Sequence, residues 1–136
     1  MKSLNPYLFF PGNCEEALNY YKDCLNGEIT LLQRFGDTDM PVEESWRDKI
    51  MHAELKVENI HIMFSDGAPH KTITQGDNVQ LNIDFDDPDE QEKLFYALAK
   101  DGEISMKLEE TFWGARYGML TDKFGIRWMM NYSLKE

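Results

Sequence analysis

The sequence predicts an α+β fold: two βαβββ modules forming a curved mixed sheet with a concave pocket. Three observations carry it. The string Asn26-Gly27-Glu28-Ile29-Thr30-Leu31 returns as Asp101-Gly102-Glu103-Ile104-Ser105-Met106, with Gly102 75 residues after Gly27. Each copy follows a helix-period stripe and opens a strand-period stretch. The elements on either side come in the same order in both halves.

The first module spans residues 1–68. Asn5 to Phe10 alternates, so Leu8 and Phe10 face one way and Asn5, Tyr7 and Phe9 the other. Pro11-Gly12-Asn13 breaks the strand, and Asn13 with Glu16 has the spacing of a capping box. Ala17, Leu18, Tyr21 and Leu25 fall at helical spacing, and Asn26-Gly27 ends the helix. Glu28 to Phe35 is a strand. Residues 36–47 form a polar loop, of the length that serves as a lid, a dimer contact or a plain connection. Ile50 to Val57 and Ile60 to Ser65 pair through the two-residue turn Glu58-Asn59. That register sets Glu54 opposite Met63 and His52 opposite Ser65.

The second module spans residues 76–136. Val79 to Phe85 alternates, with Gln80 and Asn82 on the side away from Leu81, Ile83 and Phe85. Asp87 caps a helix that has Pro88 at its first position and runs to Lys100. Glu103 to Glu109 is a strand. Phe112 to Thr121 and Ile126 to Tyr132 are strands around a four-residue turn, Asp122 to Gly125. Shifting by 75 lays Asn5 on Gln80, Leu8 on Ile83 and Gly27 on Gly102. For the last strand the shift is 66, which sets Met63 on Met129.

Each helix is expected to cover one sheet face, bearing Leu8, Phe10, Ile83, Phe85 and Trp128. The uncovered face then carries Asn5, Tyr7, Phe9, His52, Glu54, Met63, Ser65, Gln80, Asn82, Met129 and Asn131. With the four-residue turn, Arg116 and Gly118 join it. A solvated face would not need Phe9 and two methionines, and a dry core would not take Gln80, Asn82 and Arg116 unpaired. Such a mixed surface suits a pocket for a small organic molecule; mutual pairing of these groups, or a dimer interface, is the alternative.

Composition narrows the partners. The net charge of −11 argues against nucleic acid and against an anionic membrane surface. Hydrophobic residues at 42% suffice for a packed interior. No apolar run reaches the roughly 18 residues of a bilayer span, and residues 1–6 lack a signal-peptide core, so a cytoplasmic setting is expected. Cys14 and Cys24 sit ten residues apart in one helical pattern, about 15 Å of rise, too far for a disulfide.

Tyr7-Leu8-Phe9-Phe10 with Ala17-Leu18-Asn19-Tyr20-Tyr21, Met51-His52-Ala53-Glu54-Leu55, Trp113-Gly114-Ala115-Arg116-Tyr117-Gly118 and Asp122-Lys123-Phe124-Gly125-Ile126-Arg127-Trp128 resemble the PhnB-like branch of the vicinal oxygen chelate superfamily. That superfamily includes glyoxalase I, extradiol dioxygenases and fosfomycin or bleomycin resistance proteins. The resemblance covers essentially the whole chain. It implies paired βαβββ units and a small-molecule site in the concave face. A homodimer is expected because the paired units must complete a curved sheet, an arrangement open to completion within a chain or between chains. In metal-using members four strands each give a ligand; those positions fall here on Asn5, Gln80, Met63 and Met129. Thioethers are poor ligands for hard or borderline divalent ions, so no cofactor is expected, with a divalent metal the lesser alternative. Branch members often carry a demethylubiquinone methyltransferase label. No Gly-rich turn between strand and helix stands here to cradle a nucleotide-like cofactor, so that activity is not expected.

Two function classes follow. One is a glyoxalase- or isomerase-like enzyme with His52 and Glu54 as catalytic residues, since histidine titrates near neutrality. The other is a metal-free binding protein of the drug-sequestering kind. In both, Trp113, Tyr7 and Phe9 stack on a ligand and Arg116 clamps an anionic group or neutralises Glu54.

Overall fold

The computed structural model describes residues 1–134. It separates into two compact units, Met1–Thr74 and the chain from Gln75 on. The first contains β1 (Tyr7–Phe9), α1 (Cys14–Leu25), β2 (Glu28–Arg34), β3 (Ile50–Val57) and β4 (Ile60–Ser65). The second contains β5 (Leu81–Phe85), α2 (Pro88–Ala99), β6 (Glu103–Glu110), β7 (Ala115–Thr121) and β8 (Arg127–Ser133). Each unit is a four-stranded mixed sheet, ordered β1-β4-β3-β2 and β5-β8-β7-β6. The outer first strand runs parallel to its neighbour and the other pairs are antiparallel.

The duplication is borne out in the ladders. Tyr7 pairs with Met63 and Leu8 with Phe64; Asn82 pairs with Met129 and Ile83 with Met130. The same bulge also recurs. It falls between Ile29 and Leu31 in β2 and between Ile104 and Met106 in β6.

Each helix buries one stripe on its own sheet. In the first unit Cys14, Ala17, Leu18 and Tyr21 meet Phe10, Ala53, Leu55, Ile62 and Phe64, all buried. Tyr21 stacks on Phe64 at 5.9 Å between ring centroids. In the second, Leu94, Phe95 and Leu98 are buried with Leu120, Trp128 and Met130. Each such large side chain contributes about 1.5–3 kcal/mol.

The two helix starts differ. Asp87 caps α2 as expected, accepting the Asp89 N–H at 2.9 Å. Asn13 makes no side-chain cap bond on α1. Asp66, just past β4, takes that role: its Oδ1 accepts the N–H of Gly12 at 3.0 Å and of Cys14 at 2.9 Å. Its Oδ2 accepts the Ile50 N–H at 2.8 Å. The parallel β1–β4 pairing brings the end of β4 beside the start of α1, so a distant carboxylate replaces the local box.

The repeated Gly-Glu string has a packing cause. A Cβ on Gly102 would strike the Thr121 carbonyl oxygen and lie 3.0 Å from the Asp122 Cα. On Gly27 it would come within 3.0 Å of Leu55 Cδ1 and Val57 Cγ2 and 3.1 Å of the Lys56 oxygen. In each unit the chain leaving the helix runs tight against the end of the next strand but one. Gly102→Ala is therefore expected to cost about 2 kcal/mol, the range of core overpacking. Gly27→Ala should cost less, because two of its neighbours are side-chain tips that can move. Urea unfolding midpoints of the two variants check the order.

One register differs from expectation. Thr121 pairs with Arg127 and Leu120 with Trp128, so five residues, not four, separate the ladder ends of β7 and β8. A one-residue slip moves every side chain to the other face. Arg116 and Gly118 therefore lie on the helix-covered face, and Tyr117 and Met119 replace them opposite Asn131 and Met129. A Cβ on Gly118 would meet the Phe95 ring of α2 at 2.9 Å. The Arg116 guanidinium binds Glu92 at 2.9 Å and the Pro88 oxygen at 3.2 Å, both on α2.

Candidate functional site

The uncovered face of the first sheet gathers the expected residues of that unit except Asn5, which precedes β1. Successive alternate positions put Tyr7 and Phe9 on β1, Met63 and Ser65 on β4, and His52 and Glu54 on β3 side by side, because Tyr7 pairs with Met63 and Met63 with Glu54. β2 adds Gln33 beside His52 and Leu31 beside Glu54, two positions that an unpaired reading of the strands does not reveal.

Three of these side chains form a chain of hydrogen bonds. The Tyr7 hydroxyl lies 2.7 Å from His52 Nδ1, and His52 Nε2 lies 2.9 Å from Glu54 Oε2. An ionised carboxylate can only accept, so Glu54 takes the Nε2–H, and Nδ1 is left to accept the Tyr7 O–H. Burial, followed by the negative charge that Cys14 would carry, pushes the Tyr7 phenol above its ordinary value; a hydrogen bond to Ser65 pulls the other way, and Glu54 raises it. The phenol thus stays protonated at neutral pH. Ser65 is itself buried and its Oγ accepts the Gly67 N–H at 2.9 Å. Phe9, 47% exposed, stacks on Tyr7 with ring centroids 4.8 Å apart and planes 14° from parallel.

His52 lies in the middle of this chain, between Tyr7 and Glu54. Both of its ring nitrogens are engaged by neighbours, and Tyr7, 37% exposed, is the most exposed residue of the three. No such chain exists at the corresponding places of the second sheet, where Asn82, Tyr117 and Met119 stand for Tyr7, His52 and Glu54 by the ladder registers.

On the second sheet Asp84 is a small hub, accepting from Asn82 Nδ2 at 3.3 Å and Asn131 Nδ2 at 3.2 Å. Met129 pairs with Asn82 and Met119. Gln80 precedes β5 and its amide donates to the Asp77 oxygen at 3.2 Å. Trp113 sits in the turn before β7, edge-on to Phe112 and Tyr117. Asn5 precedes β1 and bonds only the nearby Ser3 hydroxyl among the described residues.

The metal set implied by the family resemblance does not fit a hard divalent ion. Its four positions are two amides with local partners, Asn5 and Gln80, and two thioethers, Met63 and Met129. Among the described residues no three His, Cys, Asp or Glu side chains gather at one point. Cys14 and Cys24 form no disulfide among the described residues. Burial first, then the charges of Asp66 and Glu15, push the Cys14 thiol up, which makes it a structural group rather than a nucleophile. Among the described residues no helix is long and apolar enough to cross a membrane.

A family model described as 3-demethylubiquinone-9 3-methyltransferase matches residues 2–131. The chain is 33% identical over 138 residues to protein YjdN of Escherichia coli (strain K12), covering 94% of this chain and 93% of that one. The crystal structure of protein PA1353 from Pseudomonas aeruginosa superposes with a TM-score of 0.87 at 41% identity, covering 96% of this chain and 98% of that one. A putative 3-demethylubiquinone-9 3-methyltransferase, the PhnB protein from Bacillus cereus, gives 0.83 at 26% identity, covering 97% and 100%. A nucleotide-like methyl donor does not fit the strand–helix turns here. The amides of Gly12 and Cys14 at the start of α1 are spent on Asp66, and the turn into α2 reads Asp86-Asp87-Pro88.

Proposed function

Because the chain belongs to the family that this model describes, the PhnB-like branch of the vicinal oxygen chelate superfamily, we propose that it holds a small organic molecule over the open face of its first sheet. There Tyr7 exchanges a proton with the ligand, as in a glyoxalase- or isomerase-like reaction. The observation that carries this is the hydrogen-bond chain Tyr7–His52–Glu54.

As the Tyr7 oxygen takes a proton from an acidic C–H or O–H of the ligand, its own phenol proton passes to His52 Nδ1. The resulting imidazolium is stabilised by Glu54 at 2.9 Å. Reversal returns a proton to the ligand, at the same atom or a neighbouring one, with no net oxidation. The stacked Tyr7 and Phe9 rings and Met63 supply the apolar wall.

Deuterium exchange in heavy water tests it. A panel of small α-hydroxy ketones is followed by NMR for loss of the C–H signal. The protein should catalyse exchange in at least one of them, and Tyr7→Phe should lower the catalysed rate by at least about a hundredfold. Exchange at the uncatalysed rate across the panel would remove the enzyme reading. The exposed Tyr7–Phe9 stack favours a second reading, a metal-free binder without catalysis; ligands that raise the melting temperature without any exchange would support it.

A homodimer belongs to the same proposal. Phe112, 98% exposed, and Trp113 stand out from the second unit, and large apolar groups so exposed suit an interface. Light scattering is expected to give two chains per particle, and Phe112→Ser to shift the mass toward one.

A further inference from the structure

A hollow of about 410 Å³ lies wholly within the second unit, lined in part by Gln80, Ser105, Met106, Met119, Thr121 and Arg127. That volume falls in the range of small-ligand pockets. Its walls follow from local structure. The β6 bulge leaves Ser105 as the extra residue between Ile104, opposite Leu120, and Met106, opposite Met119. A bulge re-aims side chains, and the neighbours Ser105 and Met106 both reach the hollow.

Arg127 opens β8 opposite Thr121. Its Nε donates to the Gly76 oxygen at 3.0 Å and its Nη1 to Thr121 Oγ1 at 3.3 Å. These two bonds hold the guanidinium plane and leave the Nη2 donors without a partner among the described residues. The other three arginines each have a carboxylate: Arg34 has Glu15, Arg47 has Glu44 and Arg116 has Glu92. Arg127 has none among the described residues, in a chain with 25 acidic and 14 basic residues. A half-buried guanidinium held in plane with its Nη2 donors unpartnered among the described residues is matched by an anion. Met106, Met119 and Leu120 beside it form an apolar wall that an inorganic ion would leave unused.

We propose that this hollow binds a small organic monocarboxylate. The carboxylate sits on Arg127 with the Ser105 hydroxyl at hand, and the hydrocarbon body lies against Met106 and Met119. Asp77 also borders the hollow and opposes the ligand's charge, so it limits the affinity. All of the residues that line it belong to the second unit, and the Tyr7 chain to the first.

The test uses the full chain carrying ¹³C-methyl methionine, titrated with hexanoate and, as a neutral control, hexanol. Hexanoate is expected to shift the Met106 and Met119 methyl signals saturably, and hexanol to bind at least about tenfold more weakly, as loss of a charged hydrogen bond predicts. Arg127→Lys keeps the charge but loses the fork and should weaken hexanoate by about tenfold. Asp77→Asn should tighten it, a change of opposite sign that does not depend on how the Arg127 variant folds. Equal affinity for hexanol and hexanoate, no shift at Met106 and Met119, or indifference to both substitutions would overturn the proposal.

Discussion

Replacing Asp66 with alanine is expected to cost about 3–5 kcal/mol of folding stability. The carboxylate is 3% exposed and accepts three backbone N–H groups, those of Gly12, Cys14 and Ile50. Hydrogen bonds to a charged group contribute about 1.5–3 kcal/mol each, and an amide left buried without a partner costs about 1–3 kcal/mol. The three are not additive, because the loosened start of α1 can admit water to Gly12 and Cys14, hence the lower total. The carboxylate also complements the positive end of the α1 dipole. Asp66→Asn keeps acceptor oxygen for one side of the junction only and should fall between the two. Chemical denaturation measures both variants, and a loss below about 1 kcal/mol for alanine would contradict this account. Against a total stability of about 5–15 kcal/mol for a typical domain, the alanine variant should also melt well below the parent.

The second large effect concerns rate. For any ligand whose exchange the protein catalyses, Tyr7→Phe is expected to lower the catalysed rate by about 10²–10⁴, the usual worth of a positioned acid–base group. That is about 3–5 kcal/mol of barrier. The substitution removes one oxygen and leaves the stacked ring, so binding should be nearly retained. His52→Gln should approach the same loss, since its amide cannot take the phenol proton. Glu54→Gln should cost less, about 10–100-fold, because it removes only the charge that stabilises the imidazolium. The order of the three is the discriminating result. A Glu54 variant slower than the Tyr7 variant would mean that Glu54, not Tyr7, meets the ligand.

Much of the fold was legible from the residues. The Gly27 and Gly102 strings, the stripes at Ala17, Leu18 and Tyr21, the Glu58-Asn59 turn and the Asp87-Pro88 start are all local signals, and each local geometry follows from a few neighbouring residues. The hairpin register that pairs Glu54 with Met63 follows from its turn length. The same reasoning misplaced Arg116, because the turn after β7 takes five residues rather than four. The need for Leu120 and Trp128 to share a buried face was the signal that would have corrected it.

By itself, then, the sequence determined the two strand–helix–strand units, their order and the mixed face that each leaves uncovered. Periodicity and turn chemistry act over a handful of residues and survive without any long-range partner. Tertiary structure alone decided that Asp66 and not Asn13 caps α1, that Tyr7 reaches His52 across 45 residues, and that Arg127 has no carboxylate partner among the described residues while Arg116 has one. Those outcomes depend on ångström-scale approaches between distant segments, which composition and spacing do not encode.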